Sequence, residues 1–390
     1  MVSLSKVIQR ALKLVTPGPG ENKRLDLAAA KVTSRLEEAF IGRLPIPEIS
    51  LGGSYARGTW LKGSLDIDFF LLYSTDYPRE KLESEAIDAA KGALHGYRIN
   101  QRFAEHPYVE GFVDDVRVNL VPCYKVALGE WCSAADRSPY HTTYIRSKLD
   151  DRLRLEARLL KKFVKRAGVY GAEVKVRGFS GYVCEVLTLK YGSFESSLEG
   201  LAKLKNDDRI ISIEKYDKDL AFAFASPLVI LDPVDTTRNL GSAISARNVA
   251  KLVLQSRRFL EKPSLSYFSE NTKKVSYRML SGSKKMLIEK ILVLSFENEK
   301  RSPDILWGQL RRSSVAISNK LGAMGFQVLR VGMASNEDSL QSAFLFLFAD
   351  AKLGSLQMRQ GPEYFRIEEV KKYFEKNRRK ALLTWIGEDG

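Results

Sequence analysis

The sequence predicts a multidomain chain of mixed α/β plus α+β type. Three observations predict this class. The 390 residues amount to two or three domains at roughly 150 residues each. Between residues 48 and 121, short runs with strand-like alternation surround one helical stretch, the pattern of an α/β head domain. After a strongly helical middle, the last third alternates strand and helix patterns in the order βαββαβ, a ferredoxin-like, split-βαβ signature.

Two helices open the chain: Leu4, Val7, Ile8, Ala11 and Leu14 share one helical face, and Leu25, Ala28, Ala29, Val32, Leu36 and Phe40 share another. Thr16-Pro17-Gly18-Pro19-Gly20 separates them. Strands are expected at 48–52 and 66–73, a helix at 79–94, and extended segments at 97–103, 108–113 and 115–121. From Leu149 the pattern turns helical, with Leu153, Leu155, Leu159, Leu160 and Phe163 spaced among Arg and Lys, and further helices are expected at 180–191 and 244–261. The last third reads strand 286–296, helix 306–324, strands 326–331 and 343–349, helix 368–380 and strand 381–386. Phe344, Phe346 and Phe348 alternate on one of these strands. RNA-binding sheets stack bases on such residues, but alternating aromatics more often face helices as core, and that reading is preferred here. The expected division is 1–140, a head domain; 141–265, a helical neck; and 266–390, an α+β body.

Composition excludes several classes. With 44% hydrophobic and 28% charged residues the chain is a folded globular protein rather than a disordered one. The longest apolar run, Ala343 to Ala349, is far short of the roughly 18 residues that span a bilayer, so a cytoplasmic protein without membrane association is expected. Cys123, Cys132 and Cys184 form no Cys-x-x-Cys pair, which argues against a structural zinc and against a disulfide framework and predicts reduced, buried thiols. The net charge of +15 points to a polyanionic partner. Residues 1–140 hold 18 basic and 18 acidic side chains, so the whole excess lies beyond them.

The chemistry-bearing stretch is Gly52-Gly53-Ser54-Tyr55-Ala56-Arg57, followed by Asp66-Ile67-Asp68. On a strand Asp66 and Asp68 point to one face about 6.6 Å apart while Ile67 and Phe69 enter the core. Two such carboxylates repel by roughly 2 to 4 kcal/mol at an effective dielectric near 20, which is unfavourable unless a divalent cation neutralises them. Mg2+ is the natural candidate, taking hard oxygen ligands. The Gly-Gly-Ser turn allows backbone and hydroxyl donors to approach an anion such as the outer phosphates of a nucleotide. Taken singly, Asp-x-Asp is compatible with two solvated carboxylates on an edge strand and Gly-Gly-Ser with an ordinary turn; their combination is what points to nucleotide chemistry.

Gly53-Ser54 with Asp66-x-Asp68 resembles the nucleotidyltransferase superfamily that includes polymerase β. More specifically, the chain resembles the class I, archaeal-type CCA-adding tRNA nucleotidyltransferases. The resemblance rests on Gly-Ser-Tyr-Ala-Arg-x-Thr-Trp-Leu-Lys-Gly at 53–63, His-Pro-Tyr-Val-Glu-Gly at 106–111, Val-Pro-Cys-Tyr at 121–124, Val-Arg-Gly-Phe-Ser-Gly-Tyr at 176–182, and Asp-Pro-Val-Asp at 232–235 with Arg238-Asn239. It implies a template-free polymerase in which the 3′-hydroxyl of a tRNA acceptor attacks the α-phosphate of CTP or ATP with two Mg2+ ions and pyrophosphate leaves. It further implies that Asp66 and Asp68 are catalytic metal ligands, that Ser54 and Arg57 beside Gly53 contact the triphosphate, and that Lys161 and Tyr170 close on phosphates and sugar. On the same resemblance, His106, Ser138 and Arg238 would be the remaining nucleotide contacts, with Arg238 reading the base. Without the resemblance, Lys161 and Arg238 read as part of a solvated basic face.

Two departures from the family pattern stand out. The family carries a third carboxylate in the strand before Val-Pro-Cys-Tyr, and the matching catalytic, metal-binding position here is Asn119. An amide keeps a weak carbonyl ligand but loses the charge that anchors a metal and helps deprotonate the 3′-hydroxyl. Asp115, an even number of residues away, replaces it only if the strand is bulged or the metal sits off its usual place. Family members also continue past the region matching Trp385-Ile386-Gly387, so the expected RNA contact is the acceptor stem and 3′ end with less of the elbow. Alternatives are another RNA 3′ nucleotidyltransferase of oligo- or poly(A) type, or a catalytically silent tRNA-binding paralogue. No oligomeric state is specified, a homodimer being compatible with the pattern.

Overall fold

The computed structural model describes residues 3–42, 45–103, 107–205, 209–269, 281–336, 340–353 and 360–379, together with Ala381 and Leu383. It forms two compact units, one built from Met1–Lys274 and Arg301–Gly308, the other from Val275–Lys300 and Gln309–Gly390.

In the first unit, helices α1 (Leu4–Val15) and α2 (Pro19–Phe40) precede strand β1 (Glu48–Gly52), a single turn α3 (Gly53–Ala56), β2 (Asp66–Tyr73), α4 (Arg79–Ala93), β3 (Arg98–Phe103), β4 (Pro107–Val113) and β5 (Val116–Tyr124). The five strands form one sheet of order β1-β2-β5-β4-β3, in which only the β2/β5 pair is parallel. The strand alternation determines how this sheet is used. Ile67, Phe69, Leu71, Val118 and Leu120 are buried in one core with Leu25, Val32 and Leu36 of α2 and Leu82, Ala86 and Ala90 of α4. Helices cover that face; on the opposite face Asp66, Asp68 and Asn119 are only partly buried, while Phe70, Leu72 and Cys123 farther along the same two strands close a small buried cluster of their own.

The rest of this unit is helical: α5 (Arg137–Lys148), α6 (Asp151–Arg166), α7 (Gly181–Tyr191), α8 (Phe194–Ala202), α9 (Lys218–Ala223) and α10 (Ala246–Glu261), with a two-stranded parallel pair β6 (Ile210–Ile211) and β7 (Val229–Ile230). Asp150, Ser180, Ser193 and Ser245 cap α6, α7, α8 and α10 through side-chain oxygens that accept backbone N–H groups, satisfying donors that a helix start otherwise leaves unpaired. Phe163, Phe194, Phe259 and Phe268 meet at its centre, with centroid separations of 5.7 Å for Phe163–Phe194 and 5.5 Å for Phe163–Phe259. Helix α1 joins this second core through Val7, Ala11 and Val15, whereas Leu14 is 41% exposed, so its apolar stripe is rotated from the expected one.

The second unit contains α11 (Gly282–Ile288), β8 (Ile291–Glu297), most of α12 (Pro303–Ala323), β9 (Val328–Asn336), β10 (Gln341–Phe348) and α13 (Ile367–Asn377). Its sheet order is β8-β10-β9 with β10 antiparallel to both neighbours, so β8 and β9 run parallel with α12 as the crossover, as in a split βαβ unit. Phe344, Phe346 and Phe348 are buried, as the core reading expects. Two expectations change. Residues 286–288 belong to α11 rather than to the first strand, because a three-residue apolar run carries no period that separates helix from strand. Cys132 is exposed, while Cys123 and Cys184 are buried. The expected strand at 381–386 falls almost entirely outside the described residues; Ala381 and Leu383 are not in a strand.

Candidate active site

The site is laid out by strand register. The parallel β2/β5 pair sets Asp66 opposite Arg117 and Asp68 opposite Asn119; the antiparallel β4/β5 pair sets Glu110 opposite Asn119; and Gly52 of β1 lies opposite Asp68. Because side chains alternate, the polar members of these rows share the sheet face that α2 and α4 leave uncovered. Each carboxylate meets a donor from the neighbouring strand. Arg117 Nε donates to Asp66 Oδ1 at 2.7 Å, and Asn119 Nδ2 donates to Asp68 Oδ1 at 2.8 Å. Arg102 Nη2 donates to Glu110 Oε1 at 3.0 Å, and Arg117 Nη1 lies 3.9 Å from Glu110 Oε2.

Gly53 holds Asp68 in place from the other side. Its φ is +65°, and a Cβ there would stand 1.8 Å from Asp68 Oδ2, so glycine is required both by the backbone and by the carboxylate's approach. Burial raises the Asp68 carboxyl above the ordinary range; the Asn119 hydrogen bond and the Arg57 charge oppose this without cancelling it. Asp115 does not belong to this face. With Asp114 it forms the β4/β5 turn in left-handed backbone conformation, and its carboxylate is 94% exposed and 3.7 Å from Arg24. The turn, rather than a bulge, ends the alternation that would have brought it round.

The loop after α3 is tied to the helical region by a buried ionic cluster. Glu185 of α7, fully buried, accepts a hydrogen bond from Lys161 Nζ of α6 at 2.7 Å and one from Thr59 Oγ1, and its other oxygen lies 2.8 Å from Arg57 Nε. Lys161 also donates to Thr59 Oγ1 and to the Thr59 carbonyl, so its amino group faces this loop and is 1% exposed. Burial alone would raise the Glu185 carboxyl, but the charges of Arg57 and Lys161 together with the hydrogen bonds outweigh it and hold the group below its usual range. Arg158 reinforces the junction by donating to the carbonyls of Gly58 and Trp60 at 2.8 and 3.0 Å. The Tyr170 ring lies nearby, its hydroxyl against Gly181 at the start of α7.

A second polar cluster flanks the first. Asp232, fully buried, receives His141 Nε2 at 2.8 Å and the Tyr182 hydroxyl at 3.2 Å, with Arg238 Nη1 3.6 Å away. The His141 and Tyr182 rings stack at 4.1 Å, and the Arg57 guanidinium lies 5.8 Å from the Tyr182 ring. Ser138, on the first turn of α5, accepts from Thr142 through its carbonyl, and Thr142 Oγ1 is 3.5 Å from Arg57 Nη1. The structure therefore links Asp66, Asp68 and Asn119 in one set of rows, Arg57 with Lys161 through Glu185 of α7, and Arg238 with Asp232, whereas Ser138 is tied to Arg57 only indirectly, its backbone carbonyl holding Thr142. His106 lies outside the described residues. Sequence reasoning missed Arg117 and Glu185, and it quoted Glu110 and Asp232 within motif blocks without assigning them a role. Arg117 was within its reach, since it sits two residues before Asn119 and so on the same strand face. Glu185 carries no such signal, because Lys161 and Thr59 are 24 and 126 residues away in the chain; Asp232 has Arg238 near it in sequence, but His141 is 91 residues away.

Three family models match in order along the chain: a nucleotidyltransferase domain over 33–141, the second domain of tRNA nucleotidyltransferases over 155–269, and the C-terminal domain of CCA-adding enzymes over 289–389. The CCA-adding enzyme of Sulfolobus acidocaldarius is 35% identical over 98% of this chain and 86% of its own length. The chain belongs to the CCA-adding enzyme family. Its head, helical region and C-terminal sheet are the family's nucleotidyltransferase layout of polymerase β type. The CCA-adding enzyme of Saccharolobus shibatae, 33% identical over 98% of this chain and 86% of its own, and that of Pyrobaculum neutrophilum, 35% identical over 94% and 84%, agree with this membership. Among solved structures, a poly(U) polymerase at 15% identity has TM-score 0.55 over 68% of this chain and 98% of its own, and a cytoplasmic RNA terminal U-transferase has TM-score 0.55 over 70% and 99%; these likenesses concern the fold alone. Among the described residues no helix is long and apolar enough to cross a membrane.

Proposed function

We propose that this nucleotidyltransferase adds C, C and A from CTP and ATP to the 3′ end of tRNA without a template, working in the cytoplasm on the acceptor stem. The observation that carries this is the pair Asp66 and Asp68 on the open face of β2, with Asp68 seated against Gly53, in a chain that aligns with CCA-adding enzymes over nearly its whole length. The donor chemistry fits a hard divalent cation: Asp66 is partly exposed, and two carboxylates share one face. Among the described residues no third His, Cys, Asp or Glu joins them as a ligand set, and Asn119 offers only an amide. Asp66 and Asp68, with the Asn119 carbonyl as a weak neutral partner, are the residues that would hold Mg2+, which when bound supplies charge stabilisation to a phosphoryl centre under attack.

The chain's own residues do the rest. Ser54 and Arg57 on the α3 turn contact the triphosphate beside Gly53. Glu185 orients Arg57 and, with Lys161, locks Thr59; Lys161, sealed by these contacts, supports the loop from beneath instead of meeting a phosphate, whereas Tyr170, beside Gly181 at the start of α7, keeps the role of closing on the sugar. Ser138 lies near Arg57 through Thr142, and Arg238, held at the rim by Asp232, reads the base; His106 completes the nucleotide set by resemblance. We keep the three-part division at 1–140, 141–265 and 266–390, which the order of the three family matches supports. Incubation with tRNA lacking its terminal triplet, Mg2+, CTP and ATP should lengthen the RNA by up to three nucleotides. Failure of both this chain and Asn119→Asp to incorporate any nucleotide would overturn the reading, while long products from ATP alone would replace it with a poly(A) polymerase.

A further inference from the structure

The open face of the head sheet holds three carboxylates, Asp66, Asp68 and Glu110, and two guanidinium groups, Arg102 and Arg117. Arg102 belongs to Glu110. Arg117 is different: its Nε sits 2.7 Å from Asp66 Oδ1 while Nη1 reaches toward Glu110 at 3.9 Å, so one fixed positive charge lies between the carboxylate at the head of β2 and the carboxylate of β4. Asn119, opposite Asp68, adds no charge of its own and engages Asp68 through its amide nitrogen. The face thus carries a net formal charge near −1, and the Asp66 oxygen nearest β5 is already met by a cation.

We propose that Arg117 is a built-in cation of this site, taking the place of one divalent ion at Asp66, so that the chain takes up one divalent ion with its nucleotide rather than two. The inference rests on the nucleotidyl-transfer reading above and deepens it. The reasoning is electrostatic. A guanidinium in contact with Asp66 repels a divalent ion approaching the same oxygen and already occupies that oxygen as a hydrogen-bond acceptor. Arg117 is also suited to a standing role, since a guanidinium remains protonated at every working pH and its planar fork can span two carboxylates at once. Asn119, where the resembled family carries a carboxylate, and Arg117, two residues before it on the same strand face, act in the same direction: each lowers the negative charge available to a metal.

The test is a count of bound ions. Mn2+ titrated into the full chain with a non-hydrolysable CTP analogue, followed by electron paramagnetic resonance of the free ion, should give one site per chain. Arg117→Lys should keep one, and the double variant Arg117→Ala with Asn119→Asp should gain a second. Arg117 is half exposed on a strand surface, and circular dichroism of each variant verifies that the fold is kept. Extension of truncated tRNA is followed in parallel. One ion together with extension upholds the proposal. Two ions with extension, or a double variant that still binds only one, overturn the built-in cation and leave the transfer reading standing. No extension by the chain or by any variant overturns the transfer reading, and this inference with it.

Discussion

At residue 119 an amide nitrogen stands where a carboxylate oxygen would add negative charge, and it donates to Asp68 at 2.8 Å. Restoring the charge with Asn119→Asp should raise the single-turnover rate of nucleotide incorporation by on the order of 10²-fold, the low end of what a positioned acid or base contributes, with little change in tRNA affinity. A large shift in tRNA binding instead would place residue 119 in RNA recognition and sink the metal argument. Gly53 offers a complementary test. With φ at +65° and Asp68 Oδ2 occupying the space of a Cβ, Gly53→Ala must move the carboxylate or the turn. Incorporation should fall at least tenfold, while urea unfolding shows a loss of about 1 to 3 kcal/mol. Unchanged kinetics would mean that Asp68 works from another position.

At the scale of elements, the junction between the α3 loop and helices α6 and α7 depends on Glu185. A buried carboxylate with two cationic partners is costly to break, so Glu185→Ala should destabilise the protein by about 3 to 5 kcal/mol in urea unfolding. Glu185→Gln, which preserves shape, should raise KM for nucleotide more than it lowers kcat, since Arg57 loses its orienting partner. The pH dependence has a definite sign. The folded-state pKa of Glu185 is depressed, so its stabilising contribution is complete above the unfolded value near 4.5 and is lost as pH falls below it. Unfolding midpoints measured from pH 7 down to pH 3 should therefore drop more steeply in the parent chain than in Glu185→Gln. Parallel curves would show that the cluster is not ionic.

For the whole molecule, charge asymmetry is the feature expected to steer an encounter with RNA. Residues 1–140 balance 18 bases with 18 acids, so the entire +15 lies in the remainder, where phosphates are expected to dock. Each neutralised phosphate contributes roughly 0.7 to 0.9 to the slope of log K against log salt. A clamp on the acceptor stem should give a slope steeper than about −3 in filter binding with tRNA between 50 and 300 mM salt. A slope shallower than −1 would mean that the excess charge does not face the RNA.

The local layout was legible in the sequence because it is written in short-range pattern. Strands at 48–52 and 66–73, the face shared by Asp66 and Asp68, and the buried face of α2 all follow from periods of 2 and 3.6 residues. The βαββ order of the last third and the core position of Phe344, Phe346 and Phe348 were legible for the same reason. The terminal apolar run at 286–288 and the stripe of α1 were misread because a few residues at an element's end carry too little periodicity to settle its type or rotation. Tertiary structure alone decided which strands became neighbours, and with that, who partners the two carboxylates. Only the parallel pairing of β2 with β5 places Arg117 on Asp66 and Asn119 on Asp68, and only the packing of α6 and α7 under the α3 loop seals Lys161 against Glu185. Electrostatics acts through space over a few ångströms, whereas these partners lie 24 to 51 residues apart in the chain, so the residue types could be read from the sequence and their charge balance could not.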